Sequence, residues 1–311
     1  MTRALLLLPA LLLCGCGEDS APSQSTPPPI SKNLQWEHGA EFSGANAYLH
    51  CEALCKLGPR PSGSPAYAAQ VQYLTAQLQK AGWQVTPRSF KLTNGVRMTN
   101  LHATYGNATA TRPIIVTCHI DTKIGISPQF IGADDGASAA AAMLELARVL
   151  PGVSAAQAQA VELIFFDGEE SFAPRMTERD GLYGSRYEVM RRAHDLPRYQ
   201  INLDMVGGRN KRIAIPLPDT SEDMLAEYEK AIDTLQLPER RWNIHPGSYF
   251  DDHTPFVQAG VDSLNLICDF TRGGWWHTVK DDMSRICPDS LAETGRVVLQ
   301  LLSQLSSKID R

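Results

Sequence analysis

Asp135, the adjacent pair Glu169 and Glu170, and His277 are the side chains of this sequence best suited to chemistry. Asp135 lies in IGADDGAS, where small neighbours let the backbone turn tightly and come close to an ion. Asp134 and Asp135 equally suit the cap of a following helix. Glu169 and Glu170 follow FFDG at the end of the most apolar run. Two carboxylates held together at a dry strand end repel each other unless a cation is present. Adjacent carboxylates in a loop point in different directions, so one can bind a metal while the other moves protons. His277 stands in GGWWHTVKDD, between tryptophans and polar loop residues. A lone histidine is more often structural, but one walled by aromatic rings on a loop suits both a ligand and a pocket wall. A catalytic zinc ion needs about three ligands of these types, with one position left open.

The elements that must position them read as an α/β layer structure. PIIVTC precedes His119, VELIFF precedes Asp167, YQINL precedes Asp204 and SLNLIC precedes Asp269. In open α/β sheets, sites form beyond the carboxyl ends of the strands. A single Asp there is commonly a cap or turn former, so it is the repetition that argues for a site. Ser64-Pro65 starts a helix that Gly82 ends, with Tyr67, Val71, Leu74 and Leu78 at helical spacing. Strands are expected over 84–91, 98–105 and 113–118, and a helix over 136–150. No repeat or second linker interrupts 40–308. The fold class is therefore α/β, a single domain with a central mixed, mostly parallel sheet flanked by helices.

The 311 residues are 43% hydrophobic, enough for a sizeable core, and 34 acidic against 29 basic residues give a net charge of −5. Without a basic run, nothing points to a nucleic-acid partner. Arg3 precedes an apolar run from Ala4 to Cys14 that is too short for an ordinary membrane span. Leu13-Cys14-Gly15-Cys16 resembles the bacterial lipobox. Residues 1–16 are thus expected to be a lipoprotein signal peptide and lipobox, with Cys16 lipidated and the protein membrane-anchored in the periplasm or at the cell surface. The alternative is a plain cleaved signal peptide that leaves a soluble protein. The Ser- and Pro-rich stretch that follows predicts a tether over 17–39, and 40–311 form the catalytic domain. Past Cys16, the cysteines 51, 55, 118, 268 and 287 show no CxxC or zinc-finger spacing. They are expected to be mostly buried thiols, although an exported compartment permits a disulfide.

HIDTK, GADDGASAAAAMLELARVL, LIFFDGEES, DGLYGSR, INLDMVGG, DDHTPF and WHTVKDD follow one another over residues 45–305. Each block alone is weak, but in this order and spacing the chain resembles the M28-type zinc enzymes, and among them most closely the animal-type glutaminyl cyclases. The resemblance implies that Asp135, Glu170 and His277 are zinc ligands and that Glu169 transfers protons. It pairs Asp204 with Asp251 as a hydrogen-bonded acidic couple orienting the substrate amide, and makes Trp276 a pocket wall. His119 and Asp204 match ligands of a second zinc in the dizinc aminopeptidases of the same clan. Asp251 separates the branches, because aminopeptidases usually carry Ser there.

The implied reaction converts the N-terminal Gln of peptides or proteins to pyroglutamate with loss of ammonia, assisted by one zinc. The alternative is a metalloaminopeptidase that hydrolyses N-terminal residues with one or two zincs. A non-catalytic, surface-anchored binding protein is a weaker third, since every ligand and the base are retained. This sequence departs from the cyclases at Arg175 and Arg272, where they carry aromatic residues. It also departs at Ala140, where the disulfide partner expected for Cys118 is missing.

Overall fold

The computed structural model describes residues 41–107 and 113–309, so the leader, Cys16 and the tether lie outside the described residues. In chain order the elements are helices α1 (Gly44–Cys55) and α2 (Pro65–Lys80), strands β1 (Trp83–Lys91), β2 (Arg97–Tyr105) and β3 (Ile114–His119), helices α3 (Ala139–Val153) and α4 (Ala155–Ala160) and strand β4 (Val161–Phe166). They continue with helix α5 (Tyr183–Arg191), strands β5 (Tyr199–Asp204) and β6 (Ile213–Pro216), helix α6 (Glu222–Thr234), strand β7 (Trp242–His245), helix α7 (Thr254–Gln258), strand β8 (Asp262–Cys268) and helix α8 (Pro288–Ile309).

The start and stop of α2 follow from local chemistry. Ser64 accepts a hydrogen bond from Tyr67 N, and Pro65 occupies the first turn, where its missing N–H is no loss. Gly82, at φ +87°, takes the left-handed turn after the helix. Tyr67, Leu74 and Leu78 are buried, with Val71 packed against the same core.

The sheet order is β1-β2-β4-β3-β5-β8-β6-β7. β4, β3, β5 and β8 run parallel at its centre, while β1, β2 and β6 bring in antiparallel pairings. Successive residues of a strand face opposite sides, and both sides are covered here. Ile114, Val116 and Cys118 of β3 and Leu163 and Phe165 of β4 join the main core, to which α1, α3 and α8 contribute. Ile115, Ile164 and Phe166 face the other way, onto Phe256 of α7 and Val261. This is a single mixed α/β sheet domain, as expected. β6 and β7 were not foreseen: each is four residues long, too short to show a period. The five described cysteines are all buried and free.

A buried ionic network fastens α5 to the sheet. His102 of β2 reaches Glu162 of β4 at 2.6 Å and Glu188 of α5 at 3.2 Å. Arg192 pairs with both glutamates, and Arg88 lies 3.2 Å from Glu188. Burial works to raise the Glu188 pKa, but hydrogen bonds from His102 and Arg191 and the charges of His102 and Arg192 hold it well below the ordinary glutamate range. Glu162 is depressed for related reasons. Because the folded pKa values lie below the unfolded ones, this stability is fully present above the ordinary value of 4.5 and is lost as pH falls below it. Glu188→Gln is expected to lower unfolding stability by about 3–5 kcal/mol, since it strands buried cations. Denaturant titration at neutral pH measures this, and acid titration should show a shallower stability loss in the variant.

Candidate active site

His119 and Asp204 are the last residues of the neighbouring parallel strands β3 and β5. Their side chains therefore meet, with Nε2 3.3 Å from Oδ1. Asp135 arrives from the turn before α3. Neither Asp134 nor Asp135 caps that helix: α3 begins only at Ala139, after a wound turn in which Asp135 (φ −81°, ψ 96°) and Gly136 (φ +91°, ψ −46°) leave helical geometry. The expected helix start at 136 is displaced for this reason. At Gly136 a Cβ would also stand 3.1 Å from Asp121 O and 3.2 Å from the His119 ring, so this turn needs glycine. The kink aims the Asp135 carboxylate inward, with Oδ1 3.2 Å from His119 Nε2 and Oδ2 3.4 Å from His277 Nε2.

Glu170 follows β4 and places Oε1 3.0 Å from His277 Nε2. Asp135, Glu170 and His277 thus form one group of convergent ligand atoms, and His119, Asp135 and Asp204 a second that shares Asp135. Metal–ligand bonds of about 2.0–2.2 Å at a tetrahedral zinc imply ligand–ligand separations of about 3.3–3.6 Å. The separations given above, 3.0–3.4 Å, lie at or a little below that range, and within each group all ligand atoms fall within 4.8 Å of one another. The Asp135 Oδ2 atom is buried without a hydrogen bond among the described residues, as a carboxylate oxygen reserved for a cation would be. The donor set of carboxylates and imidazole therefore fits zinc. His277 is held in the left-handed region at φ +53°, a strained conformation for a non-glycine residue. Its ring stacks on Trp276 at 3.9 Å and meets Phe130 edge-on.

Two carboxylates that sequence reasoning passed over fix the backbone beneath these ligands. Asp121 accepts the N–H groups of Glu169 (3.1 Å) and Glu170 (3.2 Å). Asp281 accepts those of Asp134 (2.8 Å) and Asp135 (3.1 Å). Both stand in conspicuous blocks, HIDTK and WHTVKDD, but nothing in a sequence distinguishes a ligand from a carboxylate that holds a ligand's backbone. Lys123 of the first block donates to Ser171 Oγ (2.5 Å), Ser171 O and Ala173 O (2.8 Å), which ties down the loop after Glu170.

Of the polar residues expected at the strand ends, Asp167 and Asp269 do not enter the site. Asp167 is buried and accepts from Ser62 and from Thr99 N. Asp269 lies 3.1 Å from Arg272. Asp204 and Asp251, expected as a pair, line the same cavity, and each also has partners of its own. Asp204 bonds His119, while Asp251 Oδ2 accepts from the side-chain amides of Asn202 (3.0 Å) and Asn265 (2.8 Å). Asp252 and His253 of the same motif are fully buried, and His253 lies 3.3 Å from Asp219.

These groups surround a cavity of about 510 Å³ whose inner part carries Asp135, Glu169, Glu170, Asp204 and Asp251, with Arg175, Tyr249, Phe250, Phe270 and Trp276 also lining it. Burial pushes Glu169 well above the ordinary glutamate range, and the charge of Glu170 adds to this. Burial and then Asp135 raise Glu170. Burial lifts Asp204 to about 7, against the hydrogen bond from His119 and with the help of Asp251. For Asp135 burial is outweighed by the imidazoles of His119 and His277 that face it, which hold it low. At His277 the facing carboxylates of Asp135 and Glu170 overcome burial and push it to about 10. Phe270 packs against Trp276 at 4.5 Å, and Arg272 turns outward.

The profile of peptidase family M28 matches residues 100–302. The chain belongs to this family. It is 32% identical over 283 residues to the glutaminyl-peptide cyclotransferase of Bothrops jararaca, an alignment covering 77% of this chain and 75% of that protein. The glutaminyl cyclase of Porphyromonas gingivalis superimposes with a TM-score of 0.76 at 25% identity, over 85% of this chain and 99% of that one. A Zn-dependent exopeptidase from Parabacteroides distasonis shares the fold, with a TM-score of 0.74 at 24% identity over 84% and 98% of the two chains. This M28 protein is a zinc-dependent enzyme. Asp281→Asn is expected to lower its zinc affinity by about 10- to 100-fold by loosening the Asp134–Asp135 turn, the usual cost of removing an outer-shell partner. Competition against a chromogenic chelator measures the loss.

Proposed function

We propose that this M28 protein is a glutaminyl-peptide cyclotransferase that uses one zinc, held by Asp135, Glu170 and His277, and acts on peptides or proteins with N-terminal Gln. The observation that carries the reading is Asp251. Its carboxylate is immobilised by Asn202 and Asn265 in the cavity that Asp204 also lines. A fixed hydrogen-bonding group there serves to orient an amide, and relatives at this level of identity are cyclotransferases.

In the reaction the substrate's α-amine attacks its own side-chain γ-carbonyl carbon, the new C–N bond closes the ring, and the C–NH₂ bond breaks to release ammonia. The substrate itself supplies the proximity. Zinc, when bound, polarises the γ-carbonyl as a Lewis acid. Glu169, outside both ligand groups and raised in pKa by burial, accepts a proton from the amine and delivers it to the departing nitrogen. Asp204 and Asp251 orient the amide, and Trp276, braced by Phe270, closes one wall over the forming ring.

A second reading, a two-metal aminopeptidase, draws on the group His119, Asp135 and Asp204. Products and metal content separate the two. With a Gln-initiated and a Leu-initiated peptide, the cyclase reading expects loss of ammonia from the first, no residue released from either, and one zinc per chain. Two zincs with release of free N-terminal amino acids overturn it. Glu169→Gln is expected to keep zinc and lose about 10²- to 10⁴-fold in rate, whereas Glu170→Gln should lose zinc as well. Equal zinc loss in both would mean the roles are reversed.

The same proposal places the enzyme outside the cytoplasm, lipid-anchored at Cys16 and held off the membrane by residues 17–39. The support is the charged start, the short apolar run and the Leu13–Cys16 motif. Cys16→Ala is expected to move the protein from the membrane to the soluble fraction, since each buried CH₂ of an acyl chain contributes about 0.8 kcal/mol. Fractionation of the two forms tests it, and unchanged membrane association counts against the anchor.

A further inference from the structure

The cations lining the cavity are Lys123, His277 and Arg175, and two of them are engaged. Lys123 is bound to Ser171 and Ala173 and lies 3.8 Å from Glu170. His277 faces Asp135 and Glu170. Arg175 is exposed and makes no hydrogen bond or ion pair among the described residues.

The loop that presents Arg175 is nevertheless well fixed. Asp180 accepts the N–H groups of Phe172 and Ala173 at 2.8 Å each and bonds the Tyr183 hydroxyl at 2.9 Å. Thr177 and Asp180 exchange backbone hydrogen bonds, and Lys123 clamps the start of the loop. A rigid backbone thus carries an uncommitted guanidinium to the edge of a cavity whose inner part is rich in carboxylate. The large exposed side chains on the same cavity, Phe250 and Trp276, are apolar and cannot sense the sign of a charge.

On the cyclase reading, a glutamine that reaches the buried carboxylates leaves the rest of its peptide to run outward along the cavity lining, of which exposed Arg175 is part. We propose that Arg175 is a specificity-determining residue that favours substrates with acidic side chains in the two positions after the N-terminal glutamine. The inference rests on the cyclase reading and refines it. Free guanidinium groups pair with carboxylates in forked geometry, and an exposed pair of this kind corresponds to about a two- to fivefold effect on binding. Such a contact is made equally before and during the chemical step, so it acts on KM and not on kcat. It also weakens as salt rises.

The test uses the zinc-loaded full chain and C-terminally amidated Gln-Glu-Glu, Gln-Ala-Ala and Gln-Lys-Lys, with ammonia release as the readout. The parent enzyme is expected to favour the acidic over the neutral peptide by about two- to fivefold in kcat/KM through a lower KM, and to disfavour the basic one. Arg175→Ala should bring the ratios close to one, Arg175→Lys should retain part of the preference, and Arg175→Glu should invert it. Each ratio is taken within one variant, so partial loss of folded protein cancels. Equal kcat/KM for acidic and basic peptides in the parent, or a preference that persists in Arg175→Ala, overturns this inference and leaves the cyclase reading standing. No ammonia from any of the three peptides overturns both.

Discussion

Carboxylates buried side by side repel one another, and the arrangement around the strand ends answers that constraint. Asp121, Asp135, Glu169, Glu170, Asp204, Asp251 and Asp281 are all buried within one region of the fold. In a medium of low dielectric such a cluster is stable only if each charge meets a cation, a hydrogen-bond donor or a proton. The fold supplies all three. Backbone N–H groups satisfy Asp121 and Asp281, side-chain amides satisfy Asp251, and histidines face Asp135, Glu170 and Asp204. Glu169 has none of these fixed donors, and burial raises its affinity for a proton accordingly. A carboxyl group with a raised pKa at the edge of a cavity is the kind of group that proton transfer uses.

The parallel centre of the sheet was readable in the sequence because β3, β4, β5 and β8 are buried on both faces. A six- or seven-residue apolar run ending in a polar residue is the form such strands take. The same signal misplaced Asp167 and Asp269. It marks where a strand ends, and the direction of the following side chain depends on the loop. Asp167 turns back to hold Ser62 and the Thr99 backbone, and Asp269 turns out to Arg272. The short strands β6 and β7 were missed because four residues carry no usable period. Asp135 was ambiguous for a related reason: a cap and a ligand have the same composition, and the decision lies in the backbone break at Asp135 and Gly136.

The candidate functional residues divide between two kinds of support, and two of the three departures from the cyclases, Arg175 and Arg272, fall on one of them. His119, Asp204 and Asp135 are fixed by strand ends and by a turn clamped at its N–H groups, where a change of side chain would also disturb buried charge. Arg175 and Arg272 sit on surface loops, where substitution alters little beyond what the cavity presents to its ligand. The aromatic wall illustrates the freedom this gives. With Arg at position 272, Trp276 is supported by Phe270, two residues earlier in the same turn. On the proposed assignment the strand ends and the clamped Asp134–Asp135 turn hold His119, Asp204 and Asp135, while His277 shares its loop with Trp276, so that change around the cavity is confined to side chains such as Arg175 and Arg272.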